Sequence, residues 1–387
     1  MTLTLKTEIN NPIHKKRTPE LDYMKGILII LTVLGHVNTP FTDYIYMFHM
    51  PCFFMISGYC WNKKHSSDFY SMKNYFIGKV KRLYVPFIIV NITFILLNNV
   101  FLKIGFITNN NSFLEFTSKY RIPQSLADKM GIGTMVKGIV KALFFSGGYA
   151  RLCGVTWFLS SLFMVSIFHM ILEFFIARQF TVKEKKKRIV VLFITIIVCL
   201  IFCVIIDYIK ISIPGIIRRM FGCYVAYLIG VVLREIRIIN YINPVSIFVC
   251  FFITVLFNYI NLDTSIELSQ GRIGNPVIYP ILCLCGFIFC YGFAKLLVLK
   301  NIRIIEICGK ESMSIMLFHC LSFKIVSLIY LIISKRPFVL LAASPALENE
   351  NVFLPFFYLF IGVFVPLGGK LVYDKIKCLL KLREERT

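Results

Sequence analysis

A lysine can hold an anion, and an imidazole can take a proton from a hydroxyl near neutral pH. Lys25 and His36 place these two groups eleven residues apart in TPELDYMKGILIILTVLGH, residues 18–36. As a helix, the stretch starts at Thr18 as N-cap, with Pro19 at the first helical position and Glu20 and Asp22 in the positive first turn. Eleven steps of 100° return to within about 20° of the starting face, and they rise about 16 Å. One stripe of one helix thus carries a cation near one end and an imidazole deep in an apolar run, where an ionisable group marks a functional site by default. Each has a plain alternative: Lys25 can be an interfacial lysine, and His36 a structural histidine bonded to a neighbouring helix. The shared stripe favours a joint role, an anion held at Lys25 with a long arm reaching His36.

Further candidates are spread along the chain. FHMPCFFMISGY (48–59) offers His49 and Pro51 at one end and Ser57 and Gly58 at the other. Pro51 is expected to kink this segment, and Ser57-Gly58 to allow close helix approach. Lys81 and Arg82 precede Tyr84-Val85-Pro86 and can anchor the chain or bind an anion. Arg218 and Arg219 lie where basic residues are disfavoured and can hold an anionic acceptor or outer headgroups. Trp157 opens TWFLSSLF as an interfacial tryptophan or a substrate contact. Arg272 and Asn275 sit in a polar connection, 263–276, that can touch a sugar. His319 in SMSIMLFH is a candidate for a polar interior. The thirteen cysteines show no CxxC and no Cys/His metal spacing, so no metal is expected.

The elements that position these residues follow from composition. The chain has 387 residues, 57% hydrophobic and only 16% charged, with mean hydropathy +0.74. A soluble chain carries about 25% charged residues. The apolar residues form runs of membrane-spanning length without strand alternation, which predicts an all-α, polytopic integral membrane protein. Ten spans are expected, near 19–38, 44–61, 83–107, 155–177, 189–207, 216–233, 245–261, 277–298, 312–333 and 352–374. The net charge of +23 clusters in short connections, so it points to lipid headgroups and away from nucleic acid. Lys15–Arg17, the connection 62–82, the connection 178–188 and the tail beyond 374 hold most of it. The positive-inside rule then puts both termini in the cytoplasm. No cleavable signal peptide is read in the first run. The chain reads as one membrane domain, 1–387, with an N-terminal arm (1–18), a long outward connection (108–154) and a basic tail (375–387). The outward connection divides into a polar part (109–131) and an amphipathic or re-entrant part (132–145). Oligomeric state is left open by the sequence.

With these residues in view, the chain resembles the membrane acyltransferase 3 family, nearest its sugar O-acetylase branch of the fucose 4-O-acetylase type. Lys25 and His36 match the family's basic-x10-His pattern, and FHMPCFFMISGY its second-helix motif. KRLYVPF, TWFLSSLF, YLIGVVLR and GKESMSIMLFH match weaker signatures. The last of these usually has a tyrosine where Met316 stands. The resemblance implies ten transmembrane helices in the cell membrane and acetyl-CoA as cytoplasmic donor. It implies transfer to a hydroxyl of a surface glycan or its lipid-linked precursor. His36 would be the essential histidine and general base, Lys25 its basic partner, with Lys25 and Arg82 on the CoA phosphates. A membrane transporter or exporter of a glycan or small anion is the alternative, and a glycan polymerase a third. The absence of inverted repeats with matched broken helices speaks against the transporter.

Overall fold

The computed structural model describes residues 18–37, 39–111, 113, 127–145, 150–179, 184–209, 213–260, 266–347 and 351–384. The N-terminal arm, most of the polar part of the 108–154 connection and the end of the tail lie outside the described residues. Among the described residues every regular element is helical, and an isolated β-bridge joins Glu267 to Arg272.

Helix α1 (Pro19–Gly35) begins as its sequence dictates, with Pro19 at its start and Glu20 and Asp22 in the first turn; Thr18 takes the N-cap position without a side-chain hydrogen bond. The second apolar run is two helices, α2 (Thr42–Tyr46) and α3 (His49–Tyr59), with the chain leaving helical geometry at Phe48 (φ −140°). Pro51 falls in the first turn of α3, where its missing N–H costs no hydrogen bond, so it opens a helix instead of kinking one.

Asp68 caps α4 (Phe69–Lys79), its carboxylate accepting from Ser71 N–H at 2.8 Å and Ser67 Oγ–H at 2.6 Å. These bonds, the Ser67 hydroxyl first, hold its carboxyl at about 2. α4 runs through a π-helical turn, Val80–Tyr84, into α5 (Val85–Leu96) and on to α6 (Asn98–Lys103). Pro86 has no N–H for the carbonyl four residues back and its ring crowds it, which widens the preceding turn. The third span therefore does not start afresh near residue 83. Amphipathic α7 (Ile132–Leu143) leaves Ile132, Val136 and Val140 exposed and sets Gly138 against Ile95 of α5.

The remaining helices are α8 (Trp157–Gln179), α9 (Lys185–Ile209), α10 (Gly215–Glu235), α11 (Pro244–Tyr259), α12 (Ile278–Leu299), α13 (Arg303–Lys310), α14 (Ser312–Ser334) and α15 (Leu354–Glu384). Six of these, α8, α9, α10, α12, α14 and α15, are long and apolar enough to cross a membrane. α9 exposes Phe193, Ile194, Ile197 and Ile201, as a helix facing hydrocarbon should. The protein is thus an all-helical, polytopic membrane protein. α1 and α11 have 17 and 16 residues, about 25 Å of helix against a hydrocarbon core of about 30 Å.

Two crossings without side chains between the backbones hold the centre. α1 meets α13 where a Cβ on Gly26 would stand 2.0 Å from Ile305 O, and one on Gly309 1.7 Å from Asp22 O. α3 meets α10 in the same way at Gly58 and Gly230. In lipid, such small-residue contacts replace the hydrophobic effect as the source of helix association. Gly26→Leu should therefore lower the detergent melting temperature by the equivalent of about 1–3 kcal/mol or more, as overpacking does. Gly368→Leu, on α15 with open space around it, should not. Size-exclusion thermostability profiles compare the two, and equal melting would show that α1 and α13 tolerate separation.

Candidate active site

His36 is the first residue beyond α1 and is half-buried as a residue. It stacks on His319, inside α14, with centroids 5.2 Å apart and planes at 27°. Its Nδ1 lies 3.3 Å from the Tyr46 hydroxyl at the end of α2. Tyr46 in turn meets the ring of His49, the first residue of α3, edge-on at 5.1 Å. Three imidazoles and a phenol therefore gather at the point where the second apolar segment breaks. Irregular backbone at such a point is tolerated in a membrane protein where it is buried in protein or lines a cavity.

The partners of the buried imidazoles fix their protons. His49 Nδ1–H donates to Ile45 O at 2.8 Å, and His319 Nδ1–H to Met316 O at 2.8 Å and Ile315 O at 3.0 Å. Each then carries its lone pair on Nε2, since a neutral imidazole has one donor and one acceptor. His319 Nε2 lies 3.3 Å from Cys320 Sγ. A lone pair on a ring nitrogen accepts a hydroxyl proton, and this cluster offers several.

Lys25 lies on α1 in the register expected, about 16 Å along the axis from His36. Its Nζ pairs with Asp22 Oδ1 at 2.9 Å, the lysine about one-third exposed and the carboxylate buried. Arg82 is exposed on the π-helical turn, a position where widened turns often serve function. Lys79, one turn before it, sits over the Tyr75 ring at 5.2 Å.

The other candidates stand apart from the histidines. Ser57 is two turns further along α3 and partly exposed. Trp157 starts α8 and faces Phe54 of α3 at 6.4 Å. Arg218 pairs with Asp207, and Arg219 Nη1 donates to Ser269 O at 3.3 Å. Both arginines thus fasten the 266–276 connection, whose Gly271 packs on Arg218. Asn275 Oδ1 accepts from the N–H groups of Val277 (2.9 Å) and Ile278 (3.3 Å) and so starts α12.

Sequence reading missed several residues. Arg188, placed there in a basic connection, is buried in α9 with a two-pronged bond to Glu173 of α8. Tyr46, in TDYIYMF, carries no spacing signal that marks it in the sequence. Lys324 is buried in α14 and donates to Leu341 O (2.8 Å) and Ala343 O (2.6 Å), which pins the turn Phe338–Ala342 against the helix. A lysine within LSFKIVSL was the available signal. Among the described residues, no three His, Cys, Asp or Glu side chains are grouped as a metal ion requires.

The site stands on α1, α2, α3 and α14, and a family model, the acyltransferase domain Acyl_transf_3, covers all four by matching residues 18–371. The chain belongs to the acyltransferase 3 family. This is the family that the Lys25 and His36 pattern implied by resemblance. It is also similar to nodulation protein NolL of Sinorhizobium fredii (strain NBRC 101917 / NGR234), at 53% identity over 51 residues, 10% of this chain. The chain spans 14% of the length of that relative. No solved structure matches the acyltransferase.

Proposed function

We propose that the protein moves an acetyl group from cytoplasmic acetyl-CoA to a hydroxyl of a surface glycan or its lipid-linked precursor, with His36 as general base. The observation that carries this is His36 itself: it is stacked on His319 at a broken helix, at the end of a helix that bears Lys25 on the same stripe. In this reading the chain crosses the cell membrane ten times, with α1, α2–α3, α5–α6 and α11 completing the six long helices, and both termini are cytoplasmic.

CoA phosphates sit at the basic end, on Lys25 and Arg82, with Lys79 beside them. The Asp22 carboxylate holds the Lys25 ammonium towards the helix until a phosphate competes for it. The thin thioester arm runs along α1 to His36. The sugar hydroxyl oxygen attacks the thioester carbonyl carbon while a lone pair on His36 takes the hydroxyl proton. The tetrahedral intermediate collapses with cleavage of the C–S bond, and the thiolate recovers the proton from the imidazolium. The products are the O-acetyl sugar and free CoA, and no metal enters the balance. Because the acceptor hydroxyl meets the donor only inside the bundle, water competes poorly for the thioester.

Mass spectrometry of surface polysaccharide from a deletion strain tests the reading. The expected result is an intact polymer lacking acetyl substituents, restored by the gene in trans. Loss of the polymer itself would favour the exporter. Unchanged acetylation would remove the glycan as acceptor.

A further inference from the structure

We propose that Tyr46 is the positioning residue for His36, its phenolic oxygen accepting from Nδ1–H and so fixing the tautomer with a free Nε2. The proposal rests on the reading of His36 as general base. A neutral imidazole acts as a base through whichever nitrogen lacks hydrogen, and the bond made by the other nitrogen decides which that is. His49 and His319 use backbone carbonyls for this, at 2.8 Å in both cases. His36 stands just past the end of its helix, and the partner that meets its Nδ1 is the Tyr46 hydroxyl, at 3.3 Å.

The local structure is built to bring that hydroxyl there. Tyr46 is the last residue of α2, just before the break at Phe48, and its ring lies back on the end of α1. The ring lies against Gly35, where a Cβ would come within 3.1 Å of Tyr46 Cε2. A side chain at position 35 would push the phenol away from its neighbour. The Tyr46 and His36 rings stand at 87°, which lets the hydroxyl meet the imidazole edge. On the other side the His319 ring, at 27° to that of His36, restrains rotation of the imidazole. One neighbour sets the plane of the ring, and the other selects the nitrogen. Tyr46 itself has no part in bond making.

The test uses the full-length protein in detergent, labelled with 15N-histidine, with the His36 signals assigned by their loss in His36→Gln. The wild type should show His36 protonated on Nδ1. Tyr46→Phe keeps the ring and removes the hydroxyl; His36 should shift towards the Nε2–H form. Its kcat should fall about 10- to 100-fold, the loss typical when a group that orients an imidazole is removed. KM for acetyl-CoA should stay unchanged. A wild-type His36 protonated on Nε2 overturns the proposal, and this measurement needs no variant to fold. A Tyr46→Phe enzyme with unaltered tautomer and kcat overturns it as well. Full activity in His36→Gln would instead remove the base reading, and it leaves the tautomer result standing as a separate finding.

Discussion

His36→Gln is expected to lower acyl transfer by about 10²- to 10⁴-fold, the range supplied by a general base, while the protein inserts, folds and melts as the wild type. Glutamine is close in size to histidine and can still hydrogen-bond the Tyr46 hydroxyl, so packing at the end of α1 is kept and only basicity is lost. The loss should fall on kcat, because proton removal belongs to the transition state and not to ground-state binding. KM for acetyl-CoA should therefore change little, since Lys25, where the proposed function puts the phosphates, lies about 16 Å away. His49→Gln and His319→Gln are the comparison set. His319→Gln removes the ring stacked on His36 and should cost less than His36→Gln, because the base remains. His49→Gln should cost least, since His49 meets Tyr46 and not His36. The assay is transfer of labelled acetyl from CoA to a glycan acceptor by purified protein. If His36→Gln retained most of the rate and His319→Gln lost it, the base would be His319. A labelled, base-sensitive enzyme adduct in a single turnover would show that transfer passes through an acetyl-enzyme, with direct transfer no longer the whole mechanism.

The part of this arrangement that could be read from sequence is the part written in local pattern. Thr18-Pro19 with Glu20 and Asp22 announces a helix start, and α1 begins there. The eleven-residue spacing of Lys25 and His36 needs only a regular helix to have meaning, and α1 is helical from Lys25 to Gly35, with His36 the next residue. What joins His36 to His319 is tertiary: α14 follows α1 by almost the whole chain, and no local period reports a stacking partner. The break at Phe48 was equally hidden. Hydropathy averaged over 44–61 sees one apolar run, and Pro51, the visible irregularity, sits harmlessly in the first turn of α3.

Charges gave a similar division. The positive-inside rule treats Lys and Arg as loop markers, and it classed Arg188 and Arg82 with their neighbours. The structure separates them by what they meet. Arg188 has Glu173 and Glu235, whereas Arg82 is exposed on a widened turn set by Pro86. Arg218 and Arg219 read from sequence as contacts for an anionic acceptor or outer headgroups, and Asn275 as a contact for a sugar. Their described partners are Asp207, Ser269 and the first turn of α12, so their evident work is to shape that connection. Residues 146–149, which follow the amphipathic or re-entrant part (132–145), lie outside the described residues.

Arg188→Met should destabilise the protein by about 3–5 kcal/mol, the cost of removing one partner from a buried ion pair. The guanidinium joins three helices. Its Nε and Nη2 donate to Glu173 Oε1 and Oε2 at 3.0 and 2.8 Å, and its Nη1 stands 2.7 Å from Glu235 Oε1. Lys63 extends the chain to Glu235 at 3.3 Å, and His169 lies 3.7 Å from the buried Glu173 carboxylate while its Nδ1 meets the Tyr224 hydroxyl at 3.0 Å. Methionine fills much of the same space with apolar atoms, so the loss comes from a carboxylate left without its cation, not from a cavity. Arg188→Met combined with Glu173→Gln should therefore be more stable than Arg188→Met alone, because no buried charge is left unpaired. Arg188→Lys keeps the charge but not the planar fork, and it should fall between the wild type and Arg188→Met. Thermal inactivation in detergent measures all three against the wild type. At low temperature the surviving protein should turn over at the normal kcat, since no described contact links this network to His36. A loss of kcat without a loss of stability would place Arg188 in the catalytic pathway instead, and an unchanged melting temperature would show that this ion pair does not hold the three helices together.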